Sequence, residues 1–282
     1  MNDISRPNPS SPTILVLGAT GKTGRRVVER LRARGAQVRL GSRSAQPAFD
    51  WDQESTWSPA LEGVDAVYVT YAPDLAIPGA TDAIGAFVQL AKQREVQRLV
   101  LLSGRGEEEA QACERIVQAG GLEWTVVRAS WFHQNFSEGA FAEMVAAGQL
   151  TLPPVQTPEP FVDCDDIADV AVTALLDEGH NGKIYEVTGP RAMTFAEVAA
   201  DLSAATGRDI RLVSVPHDAF VAGVAESGAP KDVVWMIDYL FSTVLDGRNV
   251  QLTDGVQRAL GRAPKDFAAY ARETAATGVW SA

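Results

Sequence analysis

Cysteine and histidine are scarce: the 282 residues contain two thiols, Cys113 and Cys164, and three histidines. Two thiols cannot build a disulfide framework, and no Cys/His spacing of a zinc site occurs. No metal is therefore expected, and a reducing, cytoplasmic setting fits best. Positive charge is also short, with 25 Lys plus Arg against 36 Asp plus Glu and a net charge of −11. Such a surface repels a phosphate backbone, so nucleic acid is not an expected partner. No run of about 18 uncharged apolar residues occurs, which predicts no transmembrane span and no membrane partner. Residues 1–12, rich in Asn, Ser and Pro, lack the apolar stretch of a signal peptide or anchor and read as a flexible tail.

What the chain does contain is ordinary globular composition, 46% hydrophobic and 22% charged, enough for one large domain or a domain with a modest lobe. Short apolar runs at 13–17, 37–40, 66–70, 98–103 and 124–128 alternate with helical patterns at 22–34, 82–94 and 107–119. That alternation predicts an α/β fold, a doubly wound parallel sheet covered by helices on both faces. An aromatic stretch (131–141) and a Pro-rich loop (152–160) follow. Asp163 or Asp166 is then placed to cap a helix ending at Leu176, before a strand at 183–188. From Gly189 the pattern is mainly helical. The expected division is a nucleotide-binding domain of residues 13–130 plus 161–188, and a small C-terminal substrate lobe of 131–160 plus 189–282.

The strongest motif is the triplet Gly18, Gly21 and Gly24, directly after the first strand and opening the first helix. Its glycines permit a tight turn, approach of the backbone to a diphosphate and close helix-strand contact, with free N–H groups facing the phosphates. Gly21-Lys22-Thr23 would need a glycine five positions earlier to form a triphosphatase loop, and Val16 stands there. At the end of the second strand no acid appears until Asp50, whereas Arg43, flanked by Ser42 and Ser44, offers a fork for a 2′-phosphate. NADP(H) is the expected cofactor.

The Tyr/Lys pair that many short-chain dehydrogenases use as acid is missing. Four positions after Tyr68, Tyr71, Tyr185, Tyr239 and Tyr270 stand Ala72, Leu75, Gly189, Thr243 and Thr274. Hydride transfer survives that loss if the acceptor develops no stranded oxyanion, as for an iminium ion, or spreads its charge, as for a quinone or dye cation. Trp131, Phe132, Phe136 and Phe141 could wall an aromatic cleft for such a small aromatic or cationic substrate. A packing role is an equal alternative for Phe136 and Phe141.

The glycine loop, the Arg43 turn, the run ending in Ser103 and the segments 124–128, 131–136, 161–168 and 185–190 resemble the NmrA-like branch of atypical short-chain dehydrogenases. The 49–57 run, with Trp51 and Trp57, and the 131–136 stretch are similar to the agroclavine dehydrogenase and festuclavine synthase group. The resemblance implies a Rossmann domain with a C-terminal lobe, NADPH in the cleft and, in the narrower group, reduction of an iminium carbon. By motif it implies that Gly18, Thr20, Gly21, Lys22, Thr23 and Gly24 hold the diphosphate and Arg43 the 2′-phosphate. It places Thr70, Tyr71 and Ala72 over the adenosine or ribose side, and Ser103 with Ala129, Ser130, Trp131 and Phe132 beside the nicotinamide. Ala129-Ser130 departs from a Pro-containing turn frequent in the family. The family also includes NADP-binding regulators that act through a protein partner, which is the alternative function.

Catalytic candidates are Ser103, able to hydrogen-bond substrate or cofactor, and His133, able to protonate a product or orient substrate. Asn135 is expected to tie a loop backbone, and residues 107–109 to form a solvated helix start. Glu114 and Asp163 are expected to salt-bridge or cap, and both cysteines to be small core residues. A monomer or homodimer is expected.

Overall fold

The computed structural model describes residues 11–281, so the first ten residues of the expected tail lie outside the described residues. In chain order the elements are β1 (Thr13–Leu17), α1 (Lys22–Ala33), β2 (Gln37–Gly41), α2 (Trp57–Leu61), β3 (Ala66–Val69), α3 (Ala80–Gln93), β4 (Arg98–Gly104), α4 (Glu108–Ala119) and β5 (Glu123–Ala129). There follow α5 (Ala140–Ala146), β6 (Gln149–Leu152), α6 (Cys164–Leu176), β7 (Lys183–Val187), α7 (Phe195–Thr206) and β8 (Arg211–Ser214). The chain continues with α8 (His217–Glu226), α9 (Lys231–Tyr239), α10 (Gly255–Leu260) and α11 (Phe267–Ala275).

Six strands form one parallel sheet in the order β2-β1-β3-β4-β5-β7. Because β1 has β2 on one side and β3 on the other, the winding direction reverses there. A crevice opens at the carboxyl ends of β1 and β3, where such sheets bind ligands. The strands are apolar on both sides for a physical reason: each face is covered. Val27, Leu31, Ile167, Val170 and Leu175 of α1 and α6 bury one face together with Val256 of α10, while Trp57, Ile84, Phe87 and Val117 of α2, α3 and α4 bury the other.

A third hydrophobic core gathers residues from 136 onward, in which Phe136 is fully buried among Phe141, Phe161, Phe195 and Phe267 at centroid distances of 5.5–6.4 Å. The expectation that Phe136 faces substrate is corrected: its ring is enclosed by other rings. Asp163 is the cap of α6, accepting from Asp165 N at 2.7 Å, and Cys113 and Cys164 are buried free thiols. A second sheet, β6 with β8 in parallel, was not foreseen. Its two four-residue strands are too short to display a period, and their pairing links residues some sixty positions apart.

Removing the Phe136 ring leaves a cavity walled by four aromatics that cannot collapse onto it. Phe136→Ala should therefore lose about 3–5 kcal/mol of stability, read from the midpoint of urea unfolding with an unchanged slope.

Candidate functional site

The crevice is built on the turn after β1. Gly18 has φ +62°, and a Cβ there would run into Thr70 Oγ1 at the end of β3; that hydroxyl donates to Leu17 O at 3.0 Å. Gly21 N closes the turn on Gly18 O at 2.8 Å, and a Cβ on Gly24 would collide with the same Gly18 carbonyl. Helix α1 thus begins against the strand end, with no side-chain cap and no acid in its first turn. Its free N–H groups suit the diphosphate of a dinucleotide, which a capping carboxylate would repel. Lys22 lies at this mouth, its Nζ 3.0 Å from Asn135 Oδ1, and burial lowers its pKa.

From the turn the crevice continues as one cleft of about 760 Å³. Gly18, Thr20, Gly21, Lys22, Thr23, Thr70, Tyr71, Ala72, Ser103, Ala129, Ser130, Trp131 and Phe132, all named from the sequence, line it together. Gly24 stands behind it as a packing glycine. Ser42 and Arg43 do not line it. They follow β2, whose Gly41 carbonyl accepts from Ala19 N of the glycine loop at 3.4 Å, and Arg43 is exposed.

Two polar networks fix the floor. Ser103, only 4% exposed, donates its single proton to Glu114 Oε1 at 2.6 Å, and Glu114 is clamped by Arg128 Nε at 2.9 Å. Arg128 also reaches Glu186 Oε1 at 2.6 Å. A hydroxyl so committed offers lone pairs to the cleft but no proton, so Ser103 can meet a ligand only as an acceptor. Arg105 donates to Ser130 Oγ at 3.1 Å, Asn249 O at 2.8 Å and Gln251 O at 3.0 Å, tying the β4 and β5 ends to the lobe. The turn at Ala129-Ser130, where the family often has proline, is held by Ser130 N on Val187 O and by Arg105 N on Ala129 O, both at 3.1 Å. Behind it, burial pushes the Glu159 carboxyl up to about 7.

His133 is corrected as a catalytic candidate. It is fully buried, with Nε2 at 3.0 Å from Phe161 O, Nδ1 at 3.5 Å from Asp163 and its ring against Phe267 and Tyr270, and it does not line the cleft. Asn135, expected to tie a backbone, instead meets Lys22 at the cleft wall. Sequence reasoning missed three features. Val233, Met236, Ile237 and Leu240 form an apolar wall on and just after α9, and their helical spacing was the available signal. Trp51 Nε1 donates to Thr70 O at 2.9 Å and its ring lies 4.9 Å from Tyr71, buttressing the β3 end. Asp74 and Glu107 line the cleft as well, although residues 107–109 were expected to be solvated. Glu107 is 5% exposed because the chain folds it over Gly104.

A model of NAD(P)H-binding proteins matches residues 18–178, and a model of the NmrA-like family matches residues 108–270. The protein is an NAD(P)H-dependent oxidoreductase built on a Rossmann-type sheet. Prestalk A differentiation protein A of Dictyostelium discoideum is 28% identical over 93% of this chain and 92% of its own. Agroclavine dehydrogenase of Claviceps fusiformis is 30% identical over 95% and 98%, and an NAD(P)H azoreductase of Xenophilus azovorans 31% over 93% and 98%. The fold is that of the Citrobacter triphenylmethane reductase, with TM-score 0.75 and 19% identity, covering 93% of this chain and 99% of that one. The chain belongs to the NmrA-like family. No helix among the described residues is long and apolar enough to cross a membrane.

Burial, and next the Asp74 carboxylate, raises the Glu107 pKa from its ordinary 4.5 to about 9. Between those values the folded chain keeps a proton that the unfolded chain releases, so this group makes stability fall as pH rises through the window. Glu107→Gln, which cannot ionise, should flatten the decline of Tm between pH 4.5 and about 9, as followed by calorimetry.

Proposed function

We propose that the protein reduces a small, flat acceptor of the iminium, imine or quinone-like class with NADPH, without a Tyr/Lys acid. The observation that carries this reading is the single cleft in which the glycine turn and strand ends share one space with an apolar wall. That wall is Trp131, Phe132, Phe141 and the α9 side chains. Bound NADPH supplies a hydride there. The chain's own residues position and enclose: Trp131, its ring 5.4 Å from Phe241 and 6.2 Å from Phe195, is held edge-on and gives a delocalised cation a π face. Positioning of this kind can supply much of the acceleration when the acceptor is intrinsically electrophilic. The names of the relatives, an agroclavine dehydrogenase and an azoreductase, support conjugated nitrogen compounds as substrates. NADPH over NADH is supported by Arg43, exposed two residues after the Gly41 carbonyl that bonds the glycine turn, and without an ion pair among the described residues.

NADPH oxidation over a panel of cyclic iminium salts, quinones and cationic dyes tests the reading. Turnover of at least one class is expected, and tight NADPH binding without turnover would favour a cofactor sensor acting through a partner. Arg43→Ala should weaken NADPH about 10- to 150-fold, the 1.5–3 kcal/mol of a charged hydrogen bond, and NADH far less, by fluorescence titration. Equal loss of both would remove Arg43 from this role. Trp131→Ala should raise KM for a cationic acceptor about 2- to 30-fold, from a ring–cation attraction of about 0.5–2 kcal/mol.

A further inference from the structure

The apolar wall of the cleft is held loosely. Val233, Met236 and Ile237 of α9, with Leu240 just beyond it, face the cleft, yet no residue of α9 is buried. The preceding α8 buries one side chain, Phe220, whose ring lies 5.1 Å from Phe241. Among the described residues, a single hydrogen bond leads from residues 216–245 to the rest of the chain. It runs from the Tyr239 hydroxyl to Glu109 Oε2 at 2.8 Å, across 130 positions of sequence.

Both ends of α9 can give. Before it, Gly228 at φ +82° and Pro230 make the turn from α8, and a side chain at Gly228 would meet nothing. After it the chain widens into a π turn, closed by Leu245 N on Leu240 O at 3.0 Å, a conformation that is rare and frequent at functional sites. Phe241, Val244 and Leu245 then return to the core and anchor the far end. Within the segment, His217 Nε2 lies 2.6 Å from Asp238 Oδ1, which ties α8 to α9, and Tyr239 stacks on Trp235 at 5.2 Å. Glu109, by contrast, belongs to the first turn of α4, which packs on the sheet through Ala110, Cys113 and Val117. The bond joins a wall that can move to a scaffold that cannot.

We infer that Tyr239, through its bond to Glu109, sets the size of acceptor that this cleft takes. The assignment rests on the reductase reading above, in which a dinucleotide and an acceptor share the space. A volume of about 760 Å³ falls within the roughly 300–1,000 Å³ of sites that hold one drug-sized ligand, so the two together fill it. A one-ring acceptor leaves α9 in place and is enclosed between its aliphatic side chains and Trp131. A three-ring acceptor displaces α9, and that displacement breaks the bond to Glu109. The bond therefore favours small acceptors and is a penalty on large ones. Neither Tyr239 nor Glu109 lines the cleft, so both are positioning residues.

Tyr239→Phe keeps the ring and its stack on Trp235 and removes only the bond. The probes are benzoquinone against phenanthrenequinone, and a one-ring against a three-ring iminium salt. For the one-ring acceptor KM should rise about 2- to 10-fold, the worth of one net hydrogen bond, and for the three-ring acceptor it should fall, at an unchanged Kd for NADPH. Glu109→Ala should reproduce the split, and the double variant should add nothing to it. In the NADPH-bound protein, amides of residues 231–239 should exchange about 2- to 10-fold faster in Tyr239→Phe, with those of α4 unchanged. A KM that moves the same way for both sizes, or does not move, overturns the assignment and leaves the reductase reading standing. So do additive effects in the double variant. If wild type oxidises NADPH with no acceptor of either class, the reductase reading itself fails and the size assignment with it, whereas faster exchange would still mark the bond as the tie on α9.

Discussion

The approach of the β1 turn to the end of β3 is the contact on which the rest of the site depends. Thr70 fills the space that a side chain at Gly18 would occupy and bonds to Leu17, while Gly24 lets α1 start against the same carbonyl. Both contacts are steric before they are polar. They place the uncapped end of α1 at the sheet's switch point, and they tie the position of Tyr71, Ala72 and Asp74 to that of the glycine loop. Trp51 reinforces the arrangement from outside, since its indole N–H takes the Thr70 carbonyl that the strand leaves free.

On the opposite side of the cleft the floor is electrostatic. Arg128 and Arg105 run beneath the ends of β4, β5 and β7, and their carboxylate and carbonyl partners satisfy groups that burial would otherwise penalise. These networks hold Ser103 and Ser130 in fixed directions.

Much of the scaffold was legible because it is local. The strand and helix limits read from the sequence agree within two residues at each end, since buried parallel strands and amphipathic helices carry their period in consecutive residues. The glycine turn was legible for the same reason. The sites of His133 and Phe136 were not, because an aromatic stretch after a strand can face either a cleft or a core, and the rings of Phe161, Phe195, Phe267 and Tyr270 decide between them. Nor was the β6–β8 sheet, whose registration joins two weakly patterned segments.

By itself the sequence determined the doubly wound sheet, the glycine turn, the aromatic residues Trp131 and Phe132 at the cleft and the absence of a Tyr/Lys acid, all properties of neighbouring residues or of composition. Tertiary structure alone decided which polar groups meet. Ser103 finds Glu114 and Arg128 only when β4, β5 and α4 are assembled. A carboxyl's proton affinity depends on burial and on the charges beside it, and neither quantity exists until the chain has folded.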